Sequence, residues 1–400
     1  MATIAVLGTL DSKGLEHAHV ADLIRQRGHE AVLIDVGTGE APVVVPDITR
    51  DEVAAAAGVD LSEVLARHDR GECVVAMSKA APVLLEKLAR EGRIQGVVSL
   101  GGGGGTALAT AAMRALPLGF PKLMVSTLAS GNTAHYLGTK DIAMMPAIVD
   151  VAGLNRVSRM VFARAAGAIC GMVEAKVDDE VSKPIVVASM FGNSTACVNE
   201  AKRIIEEAGY EVLVFHATGT GGRAMESLIA SGMVSGALDI TTTEWADEVT
   251  GATLSAGPER LDAAGLAKVP AVVVPGCVDM ANFGEPATVP ERYRSRNLYI
   301  HNPQVTLMRT SPAECAEIGR ILAEKVNRYT APAAILLPKE GVSVISEKGG
   351  PFHDPVADEA LFSAIAAHAE KPVLAYEETL NSPVFARACA EKLLELMGRR

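Results

Sequence analysis

The chain repeats itself. Residues 4–39, IAVLGTLDSKGLEHAHVADLIRQRGHEAVLIDVGTG, align without a gap on residues 185–220, IVVASMFGNSTACVNEAKRIIEEAGYEVLVFHATGT, at an offset of 181. Ile4 falls on Ile185, Val6 on Val187, Gly28 on Gly209 and Glu30 on Glu211. Each copy reads as an apolar strand, a small-residue loop, an amphipathic helix closed by glycine and a second apolar strand. Uninterrupted Val/Ile/Leu runs mark strands buried on both faces, as in a parallel sheet. Gly28 and Gly209 sit where a helix end needs a left-handed residue. A repeated βαβ unit sharply narrows the possible folds, because parallel strands require a crossover helix between them.

The rest of the chain keeps the alternation. Strands are expected at 94–100, 121–126, 185–189, 211–215, 235–240, 270–275, 297–301, 333–337 and 371–376. Helices are expected within 51–92 and at 105–115, 153–176, 195–208, 222–231, 311–328, 356–369 and 383–398. The last of these is amphipathic and Leu-rich, suited to a core or a dimer surface. The charged stretch Asp178–Pro184 reads as a linker. We therefore expect an α/β protein of two domains, 1–180 and 184–400, each an open parallel sheet with helices on both faces. Ligands of such sheets bind beyond the carboxyl ends of the strands. Two such domains would set those loops around a shared cleft.

Composition removes several function classes. The net charge of the 400 residues is −11 and aromatic residues are 4%. That argues against a polyanion-binding surface or an aromatic base-stacking platform, so neither nucleic acid nor an anionic membrane is an expected partner. No run reaches the roughly 18 apolar residues of a membrane span. The first residues lack a basic leader segment and read directly as a strand. The 6 cysteines (Cys73, Cys170, Cys197, Cys277, Cys315 and Cys389) are scattered, with no CxxC pair. Free thiols in a reducing cytoplasm fit this pattern better than disulfides or a thiolate zinc site.

The loops after the strands carry the chemistry. Gly101-Gly102-Gly103-Gly104-Gly105-Thr106 joins a strand to a helix. Glycine loses more entropy on folding than any other residue, so five in a row weaken the fold unless the backbone must approach something closely. Converging N–H groups at a helix start favour an anion such as phosphate. Thr106 either caps that helix or bonds the phosphate. The usual phosphate-binding lysine of GxxxxGK[ST] is missing.

The loop after the first strand offers Thr9, Asp11, Ser12 and Lys13. Lys13 is placed to neutralise phosphate, and Asp11 either holds a metal ion or caps the helix. Asp35 ends the second strand, where an acidic residue can bond ribose hydroxyls. Gly131 and Asn132 belong to a small-residue loop of the ligand-lining kind. The second half mirrors this with Gly192, Asn193 and Ser194, then with Thr218, Gly219, Gly221 and Gly222 beside Arg223. Glu244, Asp279 and His301 are acid/base or metal candidates, and Cys277 with His301 a nucleophile–base pair.

Taken in order, these loops resemble the Tm-one-like ATP-binding family. The segments that carry the likeness are GTLDSKG, the Gly101–Thr106 loop, SGNTAHYLGTKDIAMMPAIVDVAGLN, MFGNST, HATGTGGRAME, PGCVDMANFG and GVSVISEKGGPFHDPVADEALF. They span essentially the whole chain. The resemblance implies two Rossmann-like subdomains, self-association into homodimers, and ATP with Mg²⁺ as ligand. The leading expectation is a nucleotide-binding protein with phosphates on the Gly101–Thr106 loop and ribose near Asp35. Two alternatives stand beside it. One is an enzyme acting on a small phosphorylated or carboxylated metabolite in the cleft. The other is a metabolite-sensing or partner-binding module without turnover.

Overall fold

The computed structural model describes residues 1–66, 69–176 and 183–398. The chain divides into two compact units, Met1–Asp179 and Glu180–Arg400. Residues 178–182 of the expected linker lie outside the described residues.

The amino-terminal unit is built on five strands: β1 (Thr3–Gly8), β2 (Glu30–Asp35), β3 (Gly96–Gly101), β4 (Lys122–Ser126) and β5 (Ala143–Pro146). All are parallel, in the order β2-β1-β3-β4-β5. One helical layer packs Val53, Met77, Leu84, Leu108 and Met113 against one face. Helices Leu10–Gln26 and Arg156–Glu174 bring Val20, Ile24, Phe162 and Ala166 to the other. With both faces covered, β3 is buried at every position. Each fully buried Val or Leu contributes about 1.5–3 kcal/mol. Because strand order reverses between β1 and β3, a crevice opens beyond their carboxyl ends.

The carboxyl-terminal unit holds β6 (Ile185–Met190), β7 (Glu211–His216), β8 (Val234–Thr241), β9 (Ala271–Gly276), β10 (Met280–Phe283), β11 (Leu298–Asn302), β12 (Val305–Arg309), β13 (Ala333–Pro338) and β14 (Val373–Tyr376). Six of these form a parallel sheet in the order β14-β13-β9-β8-β6-β7. The two copies of the repeat occupy equivalent places: β1 lies between β2 and β3, and β6 lies between β7 and β8. Gly28 and Gly209 take φ of +86° and +93°, the left-handed helix ends expected of them.

One strand departs from expectation. The run at 297–301 is not in the parallel sheet; β11 is the edge of a separate antiparallel sheet, β10-β12-β11. Tyr299 and Ile300 remain exposed there. A short apolar run does not distinguish a buried parallel strand from an edge strand whose side chains meet water.

Candidate functional site

In the amino-terminal unit β3 stays buried to its last residue, Gly101. A Cβ on Gly101 would stand 3.1 Å from the backbone of Gly105, so any larger residue would crowd this turn. Gly102 leaves the strand in extended conformation and the helix Gly103–Ala115 starts at once, with no side-chain cap and no acidic residue in its first turn. The first amide to find a helical acceptor is that of Thr106, which donates to the Gly102 carbonyl at 2.8 Å. The amides of Gly103, Gly104 and Gly105 have no acceptor among the described residues. Three free N–H groups thus sit at the positive end of a helix.

They open into a cavity of about 680 Å³. Its walls come from all three switch-point loops: Thr9, Asp11, Ser12 and Lys13 after β1, Thr38, Gly39 and Glu40 after β2, and Gly102–Gly105 after β3. Leu65, Asp69, Cys73 and Val74 close the far side. The sequence gives no local signal for these last residues, which belong to helical stretches away from the strand ends.

Several residues expected here do other work. The Thr106 side chain is fully buried and its hydroxyl bonds that of Ser126 at 2.7 Å, so it is not available to a ligand. Asp35 is buried too and does not line the cavity. Its Oδ1 accepts the Leu10 and Gly37 amides at 3.0 and 2.8 Å, tying the loops after β1 and β2 together. Oδ1 thus braces the two loops, while Oδ2 is buried without a hydrogen-bond partner. Burial raises the Asp35 pKa above the usual carboxylate range, against the two amides. Lys13 reaches the cavity wall, but its ammonium bonds the Val151 carbonyl. Gly131 and Asn132 lie on an exposed turn, where Asn132 Oδ1 accepts the Ala134 amide.

Asp11 keeps its candidacy. Its carboxylate lies over the Gly37–Gly39 turn, where a Cβ on Gly37 would approach Cγ to 2.8 Å. Oδ2 accepts the Gly39 amide at 2.8 Å, while Oδ1 is buried with no hydrogen-bond partner. No group of three or more His, Cys, Asp or Glu suited to a metal ion occurs among the described residues. Any cation at Asp11 would therefore complete its shell with ligand oxygens or water.

The second glycine nest already holds an anion, and it is the protein's own. Glu244 Oε1 accepts the Gly219 and Gly222 amides at 2.7 and 3.1 Å. A Cβ on Gly222 would fall 2.2 Å from Glu244 Oε2, and one on Gly221 would fall 1.8 Å from the His216 carbonyl oxygen. Oε2 pairs with Arg260 Nε at 2.6 Å. The same guanidinium bonds both oxygens of Asp239 at 2.6 Å and Glu226 at 2.9 Å. Burial opposes the Arg260 charge, but Asp239, Glu244 and Glu226 together hold it firmly on. Glu244 is thus a structural counter-ion, and the phosphate expected at Gly219–Gly222 has no room. Nothing in the local sequence announces Arg260 as the hub.

The remaining candidates are dispersed among other contacts. Ser194 is buried, bonded to Thr241 Oγ1 at 2.7 Å. Gly192 is exposed, Asn193 Nδ2 meets Met280 Sδ, and the Thr218 hydroxyl turns back to the His216 carbonyl. Asp279 is fully buried, accepts the Ser343 hydroxyl at 2.8 Å and is raised by burial to about 6. His301 is exposed on β11 and makes no side-chain hydrogen bond among the described residues. Glu244, Asp279 and His301 share no hydrogen bond among the described residues. Cys277 is buried with φ of +61°, and burial pushes its thiol well up, the opposite of an activated nucleophile.

The model of the uncharacterised protein family UPF0261 matches in two parts, its N-terminal domain over residues 2–178 and its C-terminal domain over 183–397. A UPF0261 protein of Clostridium tetani is 46% identical over 400 residues, covering 99% of each chain. Another, from Rhizobium meliloti, is 47% identical over 394 residues, covering 97% of each. The ToMV susceptible protein tm-1(GCR26) of Solanum lycopersicum is 40% identical over 337 residues, 82% of this chain but 45% of its own length. Among solved structures, a UDP-GlcNAc 2-epimerase of Methanocaldococcus jannaschii aligns over 68% of this chain and 83% of its own. Its identity is 11% and its TM-score 0.22, too loose a match to bear on function.

Proposed function

Since the chain belongs to the UPF0261 family, we propose that its amino-terminal unit is a nucleotide-binding module that takes the phosphates of ATP, as the Mg²⁺ complex, on the Gly103–Gly105 amides. The observation that carries this is the set of three acceptor-free N–H groups opening into a cavity of about 680 Å³ at a topological switch point. Backbone amides hold an anion without any net positive charge, which suits a chain at −11. The likeness of the loops to the Tm-one-like ATP-binding family points the same way.

The cavity wall also explains why a metal complex suits it better than the free nucleotide. Asp11, Glu40 and Asp69 all line it, and the ammonium of Lys13 is engaged by Val151. Free phosphates would face these carboxylates unscreened. Bound Mg²⁺ would supply the neutralising charge, and Asp11, whose Oδ1 has no hydrogen-bond partner, is a cavity-lining carboxylate for it. Thr9, Ser12 and Thr38 are the hydroxyls placed on the wall for the rest of the ligand.

Calorimetry with ATP and Mg²⁺ on the full chain tests this. We expect one nucleotide per chain, since Glu244 fills the other nest, and weaker binding when EDTA removes the metal. A Cβ on Gly104 meets nothing within 4 Å, so Gly104→Asp should fold while setting a negative charge against the free amides. Its affinity should fall at least about tenfold, ~1.4 kcal/mol. Absence of heat at millimolar ATP, or unchanged affinity in this variant, overturns the assignment.

A further inference from the structure

We infer that His17, a residue of neither glycine loop, is the positioning residue that holds the turn after β1 and the strand leading into Gly101–Gly105 in one fixed arrangement; this rests on the nucleotide site proposed above.

His17 lies in the second turn of helix Leu10–Gln26 and is fully buried. Its Nδ1 stands 2.7 Å from the carbonyl of Lys13, four residues back in the first turn of the same helix. Its Nε2 accepts the amide of Leu100, the residue before the glycines, at 3.3 Å. The ring reaches across because Gly8 leaves room for it: a Cβ there would sit 2.2 Å from Nε2. Lys13 itself has left helical geometry, with φ of −132° and ψ of 25°. The imidazole therefore links the first turn of its own helix, whose Lys13 lines the cavity, to the strand that leads into the Gly102–Gly105 wall. Three side chains of this helix start turn away from the ligand: Lys13 to the Val151 carbonyl, Glu16 to the Gly153 amide, and His17 to Leu100.

The connector works in one protonation state. A hydrogen on Nδ1 serves the Lys13 carbonyl and leaves Nε2 bare for the Leu100 amide, while the Leu7 carbonyl beside the ring favours a proton and works against that form. A second proton would set Nε2–H against the Leu100 amide hydrogen. The groups around the ring are Glu16 and Lys13 from its own helix, the Leu7 carbonyl from β1 and the Leu100 amide from β3. Burial outweighs them and keeps the pKa below the ordinary value of 6.5.

The test uses the full chain. Long-range nitrogen NMR of His17 should show the neutral Nδ1–H form at pH 7. His17→Phe keeps a ring in the space and removes both bonds, while His17→Gln keeps an acceptor toward Leu100. In the Phe variant the amides of Leu100–Gly105 should exchange with solvent about tenfold faster, and Mg·ATP affinity should fall about tenfold, ~1.4 kcal/mol. The Gln variant should recover most of both. An Nε2–H form at pH 7, unchanged loop exchange in the Phe variant, or a Gln variant as impaired as Phe overturns the inference. If the parent chain binds no ATP, the nucleotide assignment falls, while the tautomer and exchange measurements still decide the connector.

Discussion

Replacing Glu244 by alanine separates a structural counter-ion from a catalytic acid. The truncation strips the partner from three donors at once: Arg260 Nε and the amides of Gly219 and Gly222. Arg260 is 1% exposed, so water does not readily replace the lost oxygen. Breaking a buried pair by removing one partner typically costs about 3–5 kcal/mol. Asp239 and Glu226 still hold the guanidinium, and removing one of three carboxylates relieves their mutual repulsion. The low end is therefore expected, about 3 kcal/mol. At about 2–4 °C per kcal/mol for a unit of this size, the carboxyl-terminal unit should melt roughly 6–12 °C lower. Glu244→Gln keeps an acceptor oxygen for the two amides and should lose about half as much. Calorimetric melting of the full chain measures both, and added formate should restore part of the alanine variant's loss by entering the vacated nest. A Glu244→Ala variant that melts within about 2 °C of the parent and ignores formate refutes the counter-ion argument. If it melts normally but loses turnover of a metabolite, Glu244 returns as a chemical group.

Two further outcomes follow from buried groups. Asp247 and Asp279 have pKa values raised by burial to about 7 and about 6, above the 3.8 of the unfolded chain. Their contribution to stability is therefore full below pH 3.8 and lost as pH rises through 6 and 7. The carboxyl-terminal unit should melt lower at pH 8 than at pH 5, and Asp247→Asn should flatten the upper part of that slope, on the order of 4 kcal/mol at most. A melting profile with no fall between pH 5 and pH 8 contradicts this. Thr106→Val removes a buried 2.7 Å hydroxyl pair with Ser126. It should cost about 1 kcal/mol in thermal denaturation yet leave Mg·ATP affinity within about twofold; a large affinity loss at unchanged stability would return Thr106 to the ligand.

The frame of the protein was legible because its signals are local. Gly28 and Gly209 mark helix ends through a backbone conformation that glycine adopts at little cost. The runs that became β1, β3, β6 and β9 are almost wholly apolar, with only Thr3, Ser99 and Ser189 among them, as suits strands covered on both faces. The glycine loop also declared itself, since five glycines weaken a fold unless the backbone has to come close to a neighbour. Less was visible where burial is partial. The short β5, Ala143–Pro146, is only partly buried and carries no clear periodicity, and β11 reads like any other apolar run.

Tertiary structure alone decided which group meets which nest. Two glycine-bearing loops look alike as sequence, yet one faces a cavity and the other closes on Glu244, a residue 25 positions from Gly219. Asp35 likewise braces its loop through Leu10, another 25 positions away. Strand order brings these partners together, and strand order is not written in any local window. Residue type and spacing fix what a backbone segment can do; whether a carboxylate is a ligand, a brace or a counter-ion depends on what the fold sets within 3 Å of it.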